Sequence, residues 1–355
     1  MTIAKAVLRA CTWGSVITAS VCSYSQQAQS PEPTDQKPVF TLKVYTNLVQ
    51  VPTLVLDHDR QPLRPIDFQR VELSLDGGKL FAPTHVRMEG DDPLDIAILL
   101  DVGGKEPNKL VPGVADAMAV MAAKALHPQD RVSLYIVSCN LLRTVLRVQP
   151  FPGLLSDSIT EGLKSPKLGK DSNGASCGTD VHLWGAIAAV VRDLDEATGR
   201  RAVLVVSDGH DGGSAITWQQ LHDYAGLEGT ALFGLRSGGD LSPIWRTVSV
   251  DEFHALCEST GGIVMYGDKR DLQKRLLQWV QLLRGRYVVE FPRPQSLGGG
   301  AHGITVSIKK DGLAFTTVAG VSVSLPDQSL TADPNYVPSN EGSDIPVGKQ
   351  RPQSH

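Results

Sequence analysis

Residues 94–101 read LDIAILLD, and residues 201–208 read RAVLVVSD. Each is a nearly continuous apolar run that ends on an aspartate, with glycine close behind: Gly103 and Gly104 after the first, Gly209 after the second. A strand covered by helices on both faces has no solvent side, so it loses the alternation of a half-buried strand. Two such runs point to a mostly parallel sheet between layers of helix. Open sheets of that kind bind ligands beyond the C-terminal ends of their strands. Asp101 and Asp208 are the residues that such an edge presents.

The surrounding sequence keeps the same rhythm. In NKLVPGVADAMAVMAAKAL (108–126), Leu110, Val114, Ala117, Met118, Met121 and Ala125 recur on a helical period. Pro112 falls in the first turns, where its missing N–H costs little. RVSLYIVS (131–138) reads as the next strand. LLRTVLRVQPF (141–151) follows too closely for a crossover helix to intervene, so it is expected to be an antiparallel edge strand. VHLWGAIAAVVRDLDEA (181–197) is a helix with Trp184, Ile187, Ala188, Val191 and Leu194 on its apolar stripe. TWQQLHDYAGLE, TALFGL, VDEFHALCESTG, IVMYG and DLQKRLLQWVQLLR continue the alternation, and RYVVEF (286–291) is expected as its final strand. Residues 93–292 are therefore expected to form an α/β domain: a doubly wound, Rossmann-like, mostly parallel sheet with one antiparallel edge strand.

Short strand-like runs flank this region. FTLKVYTNLVQVPTLVLD, FQRVELSLD and THVRME place part of a small β-module in residues 40–92. GITVSIK (303–309) and LAFTTVAG (313–320), joined by KDG as a hairpin, are expected to complete it, because neither piece makes a core alone. Residues 26–39 read as a flexible lead-in, and residues 326–355, poor in apolar side chains, as a disordered tail. Residues 1–25 carry Lys5 and Arg9, no acidic residue, a short apolar stretch and then small Ser23 and Ser25. That is the pattern of a signal peptide, and it predicts a periplasmic or secreted protein. No other segment approaches the ~18 apolar residues of a transmembrane span. A net charge of -4 with no Lys/Arg-rich run offers nothing for nucleic acid or an anionic membrane. The oligomeric state is not written in these patterns.

Three segments converge on the ligand edge: Asp101-Val-Gly-Gly-Lys105, Cys177-Gly-Thr-Asp180 and Asp208-Gly-His-Asp211. The candidate binding residues are Asp101, Gly103, Lys105, Thr179, Asp180, Asp208 and His210. Each also has a plainer explanation. Thr179 or Asp180 would be a natural N-cap for the following helix, and Asp–Gly pairs make turns. Cys139 ends its strand on the same edge as Cys177, so that pair is favoured for a disulfide over any with Cys257; all three could equally be buried small hydrophobes. Their spacing has no zinc-site character. An enzyme reading would use Asp101, Asp208, His210 and Asp211 as a hydrolytic metal site, with Asp211 as ligand or base. No Ser-His-Asp arrangement on strand ends, HExxH or P-loop accompanies it.

In the order of these segments the chain resembles a von Willebrand factor type A domain, above all the exported bacterial proteins that flank such a domain with β-segments. The resemblance runs from about Phe40 to Gly320 through LVLDHDRQPLRPIDF, LDIAILLDVGG, GTDVHLWGAIAAVV, RAVLVVSDGHDGGS and RYVVEFPRP…HGITVSIKKDGLAFTTVAG. It implies a non-enzymatic protein-binding, adhesion or scaffold module. It also implies a divalent cation held by an Asp-x-Ser-x-Ser turn, a threonine and a second aspartate, with a partner carboxylate completing the coordination. Asp101, Thr179 and Asp208 match that metal set, but Gly103 and Lys105 stand at the two serine positions. Mg²⁺ prefers six oxygen ligands; Gly103 has no hydroxyl, and Lys105 offers only donors. A lysine ammonium would compete with Mg²⁺ or Mn²⁺ for the same carboxylates. The expectation is a protein-binding edge with no cofactor, metal-dependent binding through an intact site being the alternative. Serines at 103 and 105 are expected to restore cation affinity.

Overall fold

The computed structural model describes residues 48–57, 60–63, 65–103, 108–170, 181–197, 200–237, 251–292, 302–309 and 315–318. The proposed leader, lead-in and tail lie outside them. Three short strands come first: β1 (Leu48–Leu56), β2 (Val71–Leu75) and β3 (His85–Met88). The alternation then runs β4 (Leu94–Asp101), α1 (Val111–Lys124), β5 (Arg131–Val137), β6 (Leu141–Val148), α2 (Pro152–Leu163) and α3 (Leu183–Asp193). It continues through β7 (Arg200–Val206), α4 (Trp218–Leu227), β8 (Ala231–Ser237), α5 (Glu252–Ser259), β9 (Val264–Gly267) and α6 (Leu272–Arg284). Three strands close the chain: β10 (Tyr287–Pro292), β11 (Ile304–Ile308) and β12 (Phe315–Val318). Among the described residues no helix is long and apolar enough to cross a membrane.

The six-stranded sheet has the order β6-β5-β4-β7-β8-β9. All of its pairings are parallel except the edge pair β5–β6, as the three-residue link between those strands requires. Every residue of β4 is buried, and its two faces feed two different cores. Leu94, Ile96, Ile98 and Leu100 pack with side chains of α1, α2 and α6. Ala97 and Leu99 pack with α3 and with residues of α4 and α5. The period-2 alternation of strand side chains makes this division. After β4 the chain winds one way to β5; from β7 it winds the other way to β8 and β9. The reversal leaves a crevice beyond the C-terminal ends of β4 and β7, where Asp101 and Asp208 stand.

Two expectations need correction. First, β10 does not end the α/β sheet. It runs antiparallel between β1 and β3, with Val51 and Val86 both opposite Val289. A six-residue apolar strand carries no mark of which sheet it joins, and the alternation ends instead with α6. Second, β11 and β12 are not a hairpin. β11 pairs with β2 and β12 with β1, so they enter separate sheets. Those sheets share one core containing Val51, Leu73, Phe291 and Val306. Residues 152–163, to which the sequence analysis assigns no element, form the helix α2. Only Leu155, Ile159 and Gly162 of α2 are buried, too weak a stripe to announce a helix.

Candidate functional site

The register Leu100↔Val206 sets Asp101, the last residue of β4, beside Ser207, one step past the end of β7. Odd-numbered residues of both strands face α3, so the two side chains meet. The Ser207 hydroxyl donates to Asp101 Oδ2 at 2.6 Å, and the Gly103 N–H donates to Oδ1 at 3.1 Å. Asn108 ties the same strand ends together, its amide donating to the carbonyls of Val206 (3.1 Å) and Asp101 (3.3 Å). Asp101 is only 5% exposed. Burial pushes its carboxyl up to about 6, and neighbouring Asp208 adds to the rise, against the opposing hydrogen bonds from Ser207 and Gly103.

Asp208 itself is exposed and accepts the His210 N–H at 2.9 Å; His210 is exposed too. Between them Gly209 adopts φ +79°, and a Cβ there would lie 2.6 Å from the Phe253 ring. Only glycine suits both conditions. Its N–H donates to Ser207 Oγ at 3.0 Å, so the loop is bonded back to the group that holds Asp101.

Asp211 differs from its role in the hydrolase reading. Its carboxylate accepts from Trp184 N (3.0 Å), Gly213 N (3.0 Å), Ser214 N (2.8 Å) and Ser214 Oγ (2.5 Å). Partial burial raises its pKa, but the Ser214 hydroxyl and the backbone donors outweigh it and hold the carboxyl below its ordinary 3.8. Ser214 Oγ in turn accepts the Gly185 N–H at 3.1 Å. Two orphan donors in the first turn of α3 are thus satisfied from a distant loop. The N-cap of α3 is His182, with no side-chain cap bond, in place of the expected Thr179 or Asp180. Asp211→Ala is expected to cost about 1–2 kcal/mol at neutral pH, the range of a lost cap. A carboxyl with a depressed folded pKa stabilises above its unfolded value and loses that contribution as pH falls. The difference from wild type should therefore vanish in strong acid, which denaturant titrations at several pH values would follow.

Lys105, Thr179, Asp180 and Cys177 lie outside the described residues. Cys139 is disulfide-bonded and Cys257 is a free, buried thiol, so those two are not paired with each other. Among the described residues no group of three or more His, Cys, Asp or Glu side chains is arranged to hold a metal ion. Ser207, Asn108 and Val181 are the residues that sequence reasoning did not single out. Ser207 had no signal of its own, because it is the register Leu100↔Val206, and not an alignment of the two terminal aspartates, that puts it next to Asp101. Val181, against which Gly103 packs, had none either.

No family model matches the chain, and no curated protein matches it. Solved structures similar to it include a von Willebrand factor type A protein from Catenulispora acidiphila, at 10% identity and a TM-score of 0.41, covering 81% of this chain and 76% of that one. The manganese-loaded TRAP protein of Plasmodium vivax shows 12% identity and a TM-score of 0.38, over 66% of this chain and 96% of its own. The conserved hypothetical protein BatB from Bacteroides thetaiotaomicron shows 14% identity and a TM-score of 0.36, over 53% of this chain and 98% of its own.

Proposed function

We propose that this chain is a non-enzymatic protein-binding or scaffold module of the cell envelope or exterior. It engages its partner through the C-terminal edge of the parallel sheet, without a bound divalent cation. The observation that carries this reading is the state of Asp101. Both of its oxygens accept hydrogen bonds from within the protein, while Asp208 and His210 remain exposed on the rim. A fold brings no reaction with it, so chemistry has to be visible at the site. Asp211, which would be the base of a hydrolase, spends its acceptor capacity on the start of α3.

Partner capture with the full chain from an envelope extract of the native cell tests this. Capture should survive excess chelator and be lost in Asp208→Arg, which reverses the charge of an exposed side chain. Capture abolished by chelator and restored by Mg²⁺ would replace this reading with the metal-dependent one. Two further parts of the proposal stand on the sequence. Export with removal of the first 23 to 25 residues is checked by the intact mass of protein from the native cell; a cytoplasmic species retaining the leader contradicts it. A Cys139–Cys177 disulfide is checked by peptide mapping without reductant.

A further inference from the structure

The resemblance implies a cation between Asp101 and Asp208, with a hydroxyl at position 103 among its ligands. The residues present do not fit that group, and the misfit has a definite location. A Cβ on Gly103 would lie 2.2 Å from Val181 Cγ2 and 3.3 Å from Ser138 Cα. The direction in which a ligand at 103 would leave the backbone is already filled. Val181 is 5% exposed and belongs to the core that holds Leu99, Val137 and Leu183. A β-branched side chain in such packing has few rotamers to escape into. Its backbone is held as well, because the Gly212 N–H donates to the Val181 carbonyl at 2.6 Å. Three and four residues further on, Asp211 and Ser214 hold the N–H groups of Trp184 and Gly185.

We infer that Val181, and not merely the missing hydroxyl at 103, closes the cation position of this edge, with the loop 208–214 keeping it closed through Asp211 and Ser214. The inference rests on the metal-free reading above and assigns the residue responsible. It also revises the expectation from sequence, because a serine at 103 would put its Cβ 2.2 Å from a methyl group of Val181. Small-to-large changes in a packed site displace neighbours and destabilise. Removing the methyls of residue 181 relieves the shortest of these contacts at 103 and leaves the 3.3 Å approach to Ser138 Cα.

Three full-length proteins decide the matter: wild type, Gly103→Ser/Lys105→Ser, and that pair combined with Val181→Ala. Thermal unfolding and calorimetric titration with MnCl2 are measured on each. The two-serine protein should melt below wild type and show no saturable Mn²⁺ uptake; the triple variant should regain melting temperature and take up Mn²⁺ stoichiometrically. Uptake by the two-serine protein equal to that of the triple variant overturns the role of Val181, as does a folded triple variant that takes up none. Stoichiometric uptake by wild type overturns the metal-free reading itself, so the two failures are distinguishable. Should the triple variant not fold, Gly103→Ala with and without Val181→Ala gives a test independent of metal. Gly103→Ala should lower the melting temperature and Val181→Ala should recover part of the loss; a Gly103→Ala protein as stable as wild type overturns the inference.

Discussion

Glu89→Ala is expected to destabilise the fold by about 3–5 kcal/mol, the range for removing one partner of a buried ion pair. Glu89 is 3% exposed and lies just before β4, at the end of the sheet opposite the candidate site. Its Oε2 accepts from Arg286 Nε at 3.0 Å and lies 2.9 Å from Arg286 Nη2, and Arg286 is 1% exposed. Arg200, also buried, brings its Nε to 3.5 Å from Glu89 Oε1 and bonds Asp92 at 2.9 Å. Burial holds the Arg200 pKa below its ordinary value against the attraction of Glu89. Among the described residues, truncating Glu89 leaves Arg286 buried with no carboxylate partner and Arg200 with only Asp92. The loss measures that stranded charge more than the worth of the pair. Glu89→Leu combined with Arg286→Leu should therefore recover much of it. Urea unfolding of the single and double variants checks both statements. A loss below about 1 kcal/mol for the single variant would place the cluster in the range of solvent-screened pairs.

That cluster was invisible in the sequence, and the reason applies widely here. Its members come from 89, 92, 200 and 286, and nothing local relates them. What could be read was local periodicity. LDIAILLD gave β4 to the residue because a strand buried on both faces must be apolar throughout. The stripe Trp184, Ile187, Val191 and Leu194 gave α3, and a short link gave the antiparallel β6. What could not be read was pairing across long separations. YVVEFP would suit either sheet, and only the pairing with β1 and β3 decides. The candidate site divides in the same way. Asp101 and Asp208 follow from the ends of two strands, but Ser207 needs the register between them. Asp211 needs a donor 27 residues earlier, and Val181 needs the packing of a helix start against a turn. In SDGHDGG the aspartates have the same appearance, yet Asp208 faces solvent and Asp211 is tied to α3.

Asp101→Asn is expected to stabilise the protein at pH 7, by up to about 3 kcal/mol. The wild-type carboxyl titrates near 6 in the fold against an ordinary 3.8. The folded state thus holds this proton more tightly than the unfolded chain does. Through this group, stability is highest below about pH 4, falls as pH rises toward 6, and stays low above that. Asparagine keeps the shape and can accept the Gly103 N–H through its oxygen. Its amide can donate to Ser207 Oγ. The ionisation is then removed, but that bond is reversed and the Ser207 O–H loses its acceptor, so the gain falls below the full figure. Other carboxylates with lowered values, Asp92 and Asp211 among them, slope the opposite way, so the total curve for wild type is not diagnostic. The difference between wild type and variant is: near zero at pH 4, growing to its full value by pH 7. On the proposed function, a charge kept at such a cost at the end of β4 serves partner binding. On the reading proposed above, the variant should be more stable at pH 7 and poorer at capturing its partner. An Asp101→Asn protein less stable than wild type at pH 7 would instead make the ionised carboxylate a structural necessity and its burial no penalty.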